Sequence, residues 1–185
     1  MPDLINGLVA ITPTSVTRTG TGSTASINSD GSVVFGSCNT LTVNGVFSSA
    51  YDNYLINIRY LYVSGLDYLS MRLSSNGTDS VSGYAYQRFE ADGTNFVAAR
   101  SMSETSGLIG YGSMTESGVS VYLYSPFLVE TTSYRSIGAT YYTGSGFYEP
   151  IGEHLVSSSY NGFTLRDLIT PRTKSGLLTV FGFNQ

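Results

Sequence analysis

Tyr54-Leu55-Ile56-Asn57-Ile58-Arg59-Tyr60-Leu61-Tyr62-Val63 is the stretch that decides the fold class of this 185-residue chain. Its period is two: Tyr54, Ile56, Ile58, Tyr60 and Tyr62 fall on one face, and Leu55, Asn57, Arg59, Leu61 and Val63 on the other, as in a strand whose successive side chains point to opposite sides. The pattern predicts a long strand, partly covered on both faces. Runs rich in Val, Ile, Tyr, Phe or Thr follow at Tyr68–Leu73, Val81–Phe89, Phe96–Arg100, Val119–Tyr124, Tyr134–Tyr142 and Leu177–Phe183, the composition that suits a pleated surface. Between the runs lie turn formers: Ser29-Asp30-Gly31, Asn44-Gly45, Ser75-Asn76-Gly77, Ala91-Asp92-Gly93, Thr143-Gly144-Ser145-Gly146 and Asn161-Gly162. Short strands at this cadence point to a β-sandwich, jelly roll or barrel, and the expectation is an all-β protein, an antiparallel β-sandwich of jelly-roll-like type. Helical spacing is confined to two brief segments, Pro150–Val156 and Phe163–Ile169, and the second reads equally well as a strand closing on Pro171.

Length argues for one domain, with residues 41–185 as the sandwich. Residues 1–40 differ in composition, being Ser/Thr-rich and without an aromatic before Phe35. They read as an extended N-terminal arm with a hairpin around Asp30-Gly31, the alternative being a flexible leader. Leu4, Ile5, Leu8, Val9 and Ile11 favour the arm, since apolar residues clustered near a terminus need somewhere to bury, and they are the candidate partner-binding residues. No long-period repeat is visible.

Charged residues are 12% of the chain and the formal charge is −4, so solubility rests on hydroxyl groups. The eight arginines are scattered singly from Arg18 to Arg172, and no basic stripe is available to replace counterions along a phosphate backbone. Nucleic acid is not an expected partner. Fifteen Tyr and nine Phe argue against disorder. No apolar run is long enough for a membrane-spanning helix, and the first residues, with Asp3 and no basic residue before Arg18, lack the charged leader of a secretory signal. Neither a membrane nor export is expected.

Few residues could carry chemistry. The single Cys38 has no His or acid beside it in sequence and reads as an inert small residue. The single His154 follows Glu153 and precedes Ser157-Ser158-Ser159, yet no strand-to-helix nucleophile elbow accompanies it, and a structural histidine is the simpler reading. One Cys and one His cannot hold a transition metal within the monomer, and the oxygens at Glu90 with Asp92, or Asp79 near Asn76, lack the spacing of a calcium loop. No metal and no cofactor is expected. Carboxylates for glycoside hydrolysis could be drawn from Glu104, Glu116, Glu130, Glu149 and Glu153, but acids at this density are more often solvated. Gly20-Thr21-Gly22-Ser23-Thr24-Ala25 fits a dinucleotide fingerprint in letters only, because no helix follows it. Asn76-Gly77-Thr78 reads as a turn and not as a glycosylation site.

Tyrosine is the remaining asset, with a large apolar ring and a polar tip suited to cores, interfaces and sugar-stacking platforms. Tyr84, Tyr86, Tyr122, Tyr124, Tyr141 and Tyr142 alternate with small or polar residues; the leading expectation is that they pave the sandwich core and its rim, with interface burial and carbohydrate stacking as alternatives.

Three short segments carry a resemblance. Phe47-Ser48-Ser49-Ala50-Tyr51-Asp52-Asn53-Tyr54-Leu55-Ile56-Asn57-Ile58, Leu69-Ser70-Met71-Arg72-Leu73-Ser74-Ser75-Asn76-Gly77 and Ser175-Gly176-Leu177-Leu178-Thr179-Val180-Phe181-Gly182-Phe183 resemble segments of small virion proteins of tailed bacteriophages. The resemblance implies a non-enzymatic structural protein of the virion, assembled in the host cytoplasm. Lacking a stalk or repeat, the chain is expected to be a capsid decoration (cement) protein, forming homo-oligomers, trimers foremost, and binding the major capsid protein or another virion protein through its N-terminal arm. A tail-fibre or appendage adhesin recognising host glycan is the alternative.

Overall fold

The computed structural model describes residues 7–92, 95–141, 145–169 and 171–184. Its regular elements, among the described residues, are all strands: β1 (Val9–Ile11), β2 (Ser15–Thr19), β3 (Thr24–Ile27), β4 (Val33–Cys38), β5 (Thr40–Asn44), β6 (Asn53–Tyr62), β7 (Asp67–Ser75), β8 (Thr78–Asp79), β9 (Tyr84–Asp92), β10 (Asn95–Glu104), β11 (Gly107–Gly112), β12 (Ser117–Tyr124), β13 (Thr132–Tyr141), β14 (Ser145–His154), β15 (Gly162–Asp167) and β16 (Lys174–Phe183). They form two sheets. One has ten strands in the order β10-β9-β14-β13-β12-β6-β16-β4-β3, with β1 pairing β16 beside β4; the other has six in the order β11-β7-β15-β5-β2, with β8 pairing β7. Every strand pairing among the described residues is antiparallel. The architecture is the jelly-roll-like antiparallel sandwich that the alternation predicts.

β6 lies near the middle of the large sheet, between β12 and β16. Its even-numbered face is the core: Tyr54, Ile56, Ile58, Tyr60 and Tyr62 are all buried. On its other face Asn53 and Leu55 are buried at the start of the strand, while Asn57, Arg59 and Leu61 reach solvent, so most of the strand is covered on one side and not on both. Val119, Val121 and Leu123 of β12 and Leu178 and Val180 of β16 extend the buried face sideways. Leu41, Val43, Leu69, Met71, Leu73, Phe163 and Leu165 oppose it from the smaller sheet. Burying such side chains is worth about 1.5–3 kcal/mol each before conformational entropy is charged against it.

Large tyrosines need space, and glycines on the opposite layer supply it. A Cβ on Gly112 of β11 would lie 2.5 Å from Tyr60 and 2.7 Å from Tyr62, and one on Gly107 would lie 3.0 Å from Tyr134. The Gly-Leu-Ile-Gly-Tyr-Gly run of β11 is thus a notched surface into which rings of the larger sheet fit.

The two segments with helical spacing are β14 and β15. In β15 the pattern misleads because the strand is buried on both faces, which erases alternation. In β14 it misleads because Pro150 sits inside the strand; pairing with β13 runs Arg135↔Ile151 and resumes at Gly138↔Tyr148, leaving the position without a donor at a gap in the ladder.

The described residues up to 40 supply β1, β3 and β4 to the larger sheet and β2 to the smaller one. The hairpin around Asp30-Gly31 joins β3 to β4: Asp30 Oδ1 accepts the Ser32 N–H at 2.9 Å, and Gly31 takes a φ of +84°. Asn76 and Gly77, with φ of +51° and +80°, form the β7–β8 turn, both signs being those that a two-residue hairpin loop demands.

Each resembling segment has a packing reason. The Tyr54 hydroxyl accepts the Ser48 N–H (2.7 Å) and donates to Ser48 O (2.8 Å), pinning the loop before β6. Arg72 donates to Thr105 O at 2.8 Å and lies 3.8 Å from Asp79. Gly182 leaves room for the ring of Tyr51.

Candidate interaction surface

A register row of outward-facing residues crosses eight strands of the larger sheet: Val34, Leu177, Arg59, Gly118, Ala139, Phe147, Ala91 and Phe96. At about 4.8 Å per strand the row spans on the order of 34 Å. A second row carries Thr179, Asn57, Ser120 and Ile137, and on the far strands Glu149, Phe89 and Ala98. Where small residues cluster, at Gly118, Ala139 and Gly146, the face dips into a trough of about 730 Å³ with Arg59 and Leu177 on one wall and Ile137 and Phe147 on the other. Ser120 Oγ donates to Asn57 Oδ1 at 2.8 Å within it, and Arg59 is paired with Glu116 at 3.0 Å on its rim.

Toward β10 the face turns apolar. Phe89, Phe147 and Ile151 are about half exposed, and Phe96 is 85% exposed. Val97 and Met102 of the same strand are exposed too. β10 is the last strand in the sheet order, so its ten residues present an unpaired backbone edge among the described residues, a template for strand addition. Neither Lys nor Pro interrupts it. Arg100 and the irregularity between Ser101 and Glu104, where Ser103 has a φ of +62°, are its guards among the described residues.

The candidate partner-binding residues are distributed differently. Leu4 and Ile5 lie outside the described residues. Leu8 is 54% exposed, whereas Val9 and Ile11 are half-buried in β1, and Ile11 packs against the core of this chain.

His154 ends β14 fully buried, with its ring 4.3 Å from that of Tyr84 and 5.2 Å from that of Tyr160. Its hydroxyl partner is Ser80, at 2.9 Å from Nε2, and none of the serines that follow it; Ser159 donates to Phe127 O instead. Burial holds its imidazole below the usual histidine range. Cys38 is buried with its sulfur 3.3 Å from two backbone carbonyls, and burial pushes the thiol up. Of the five candidate hydrolase glutamates, Glu149 and Glu153 share the outer face of β14, with Glu149 paired to Arg135; Glu116 and Glu104 are engaged by Arg59 and Ser101. Asp79 accepts from Thr164 at 2.6 Å and Glu90 faces Arg88 at 3.5 Å, and no group of three or more candidate ligands gathers among the described residues. Tyr84 and Tyr86 are core residues, Tyr122 and Tyr124 line the outer face half-exposed, and Tyr142 lies outside the described residues.

What sequence reasoning missed is a cluster of three tyrosines between the layers: Tyr68 of β7, Tyr111 of β11 and Tyr148 of β14 lie 4.9–6.2 Å apart, with the Arg88 guanidinium 4.6 Å from the Tyr68 ring. Residues this far apart in sequence leave no local signal.

By fold the chain belongs among antiparallel β-sandwiches of jelly-roll type. No family model matches it, and neither does any curated protein. Among solved structures it is similar to the galectin LEC-6 of Caenorhabditis elegans, at 10% identity over 77% of this chain and 89% of that one with a TM-score of 0.34. It is also similar to a lectin from Bauhinia forficata, at 9% identity over 96% and 100% with a TM-score of 0.21. Likeness at that level carries no functional inference.

Proposed function

We propose that this chain is a non-enzymatic structural protein of a bacteriophage virion, of the capsid-decoration type, which assembles with copies of itself. The observation that carries the reading is β10, with Phe96, Val97 and Met102 exposed and its edge open among the described residues. A strand of this kind is an aggregation hazard for a monomer, and a second copy of the chain relieves the hazard by pairing with the edge and covering Phe96, Val97 and Met102. The oligomer is a symmetric one, with a trimer as the expected number. Leu8, exposed just before β1, is left to reach the major capsid protein or another virion protein, the complex forming in the host cytoplasm. The shared resemblance to tailed-phage virion proteins supports the same reading.

Light scattering on the purified chain, together with co-sedimentation on capsids of the parent phage, tests it. The expected result is an oligomer that binds capsids, and Phe96→Asp should dissociate it while its β-sheet circular dichroism is kept. A wild-type monomer that leaves capsids bare refutes the reading.

The trough favours a second one, a glycan-binding adhesin of a tail appendage, because Asn57, Ser120 and Thr179 place amide and hydroxyl groups beside the exposed ring of Phe147. Oligosaccharide binding lost in Phe147→Ala but kept in Phe96→Asp would favour it; an empty glycan array would remove it.

A further inference from the structure

Lys174 is the single lysine of the chain, and it is buried completely, as is the side chain of its partner Asp167. A fully buried lysine is rare, and a buried ion pair is seldom a net gain over apolar packing, so the arrangement calls for a chemical account.

Nζ of Lys174 lies 3.1 Å from Oδ1 and 3.1 Å from Oδ2 of Asp167. It therefore faces the middle of the carboxyl group and not one oxygen. Two backbone carbonyls also surround it, Asn39 O at 2.6 Å and Arg172 O at 3.3 Å. A neutral amine has two N–H groups, which these carbonyls accept, and its lone pair is left for the carboxyl. The carboxyl is held by two donors of its own: the Tyr62 hydroxyl on Oδ1 at 2.8 Å and the Arg172 N–H on Oδ2 at 2.6 Å. Burial favours the uncharged amine.

We propose that Lys174 and Asp167 form an intramolecular isopeptide bond without a cofactor. A proton passes from the ammonium to the carboxylate, giving neutral amine and neutral acid. Nitrogen then attacks Cγ and forms the C–N bond, while the oxygen held by Tyr62 carries the developing negative charge. The other oxygen leaves as water, taking one proton from nitrogen beside the one it already holds. Ammonium plus carboxylate gives one amide and one water, and nothing is oxidised or reduced. Exchanging a buried ion pair for a neutral amide removes the cost of keeping two charges out of water, and expelling water from the site opposes hydrolysis. Because β15 belongs to the smaller sheet and β16 to the larger, the bond rivets the two layers together.

The intact mass of the denatured full-length protein decides the matter. The expected value is about 18 Da below that of the sequence, the mass of the water lost in the balanced step. In a tryptic digest cleavage after Lys174 is absent, and tandem fragmentation places the link between Asp167 and Lys174. Asp167→Ala should restore the full mass. A wild-type mass equal to that of the sequence, with Lys174 open to amine-reactive reagents in denaturant, overturns the proposal, and this measurement does not depend on any variant folding. A deficit that persists in Asp167→Ala, or maps to the Asp-Gly pairs at Asp30 or Asp92, overturns it as well.

Discussion

Raising the pH from about 9 to about 11 places the ordinary phenol pKa of about 10 inside the experimental window, and the sandwich is built so that this change attacks its core. Tyr60, Tyr62, Tyr84, Tyr134 and Tyr148 are each no more than 3% exposed, and burial raises the pKa of all five. A group whose pKa is raised on folding stabilises nothing extra below its unfolded value and loses stability as pH climbs past it, because the unfolded chain sheds protons that the folded one keeps. At pH 11 each unfolded phenol gains roughly 1.4 kcal/mol from ionisation, so five contribute about 7 kcal/mol against folding. That is comparable with the whole stability of a domain, about 5–15 kcal/mol. Lys174 acts the other way, since burial lowers its pKa, and stability rises with pH until the ordinary lysine value of about 10.4 is passed; one proton does not offset five, and an amidated lysine would not titrate at all. The assay is tyrosinate absorbance followed with far-ultraviolet circular dichroism along one pH titration. The more exposed tyrosines should ionise first while the sheet signal holds, and the buried five should ionise together as it collapses. A single smooth titration of all fifteen tyrosines centred near pH 10, with the sheet signal intact beyond it, would refute the reasoning.

Other outcomes follow from single contacts. Gly112→Ala puts a methyl group 2.5 Å from Tyr60 and 2.7 Å from Tyr62, and overpacking of this kind should lower stability by about 1–3 kcal/mol, read from the urea midpoint. His154 has its pKa lowered by burial, so the unfolded chain takes up the proton first as pH falls through about 6.5; stability should decline from there toward the depressed folded value, and His154→Gln should flatten that part of the profile. Lys174→Met leaves Asp167 buried without a cation and should be about 3–5 kcal/mol less stable than Lys174→Met with Asp167→Leu, which lacks any link between the two positions just as completely; equal stabilities of the two variants would show that unpaired charge is not the cause.

Some of this architecture is plain in the residues. The alternation at Tyr54–Tyr62 identifies the strand, because successive side chains point to opposite faces, but with Leu55, Leu61 and Val63 on the second face it predicts partial cover on both sides where the structure covers chiefly one. Asp30-Gly31 and Asn76-Gly77 mark hairpins because few other pairs accept those backbone angles. His154 and Cys38 read as structural residues from their isolation, and the structure buries both. The strand β11 escaped notice because its glycines, chosen to admit Tyr60, Tyr62 and Tyr134 from the other layer, remove the alternation that would announce a strand. Pro150 and the two-sided burial of β15 hide two more strands for the reasons already given.

Local pattern therefore determined that this chain is all-β, with a tyrosine-rich core and few groups for chemistry. Tertiary structure alone decided which strands share a sheet. A residue pattern specifies a face, but the partner across a ladder depends on crossovers whose ends are dozens of residues apart. Hence the eight-residue row from Val34 to Phe96, the open edge of β10, and the meeting of Lys174 with Asp167, Tyr62 and Asn39 became visible only when the sheets were assembled.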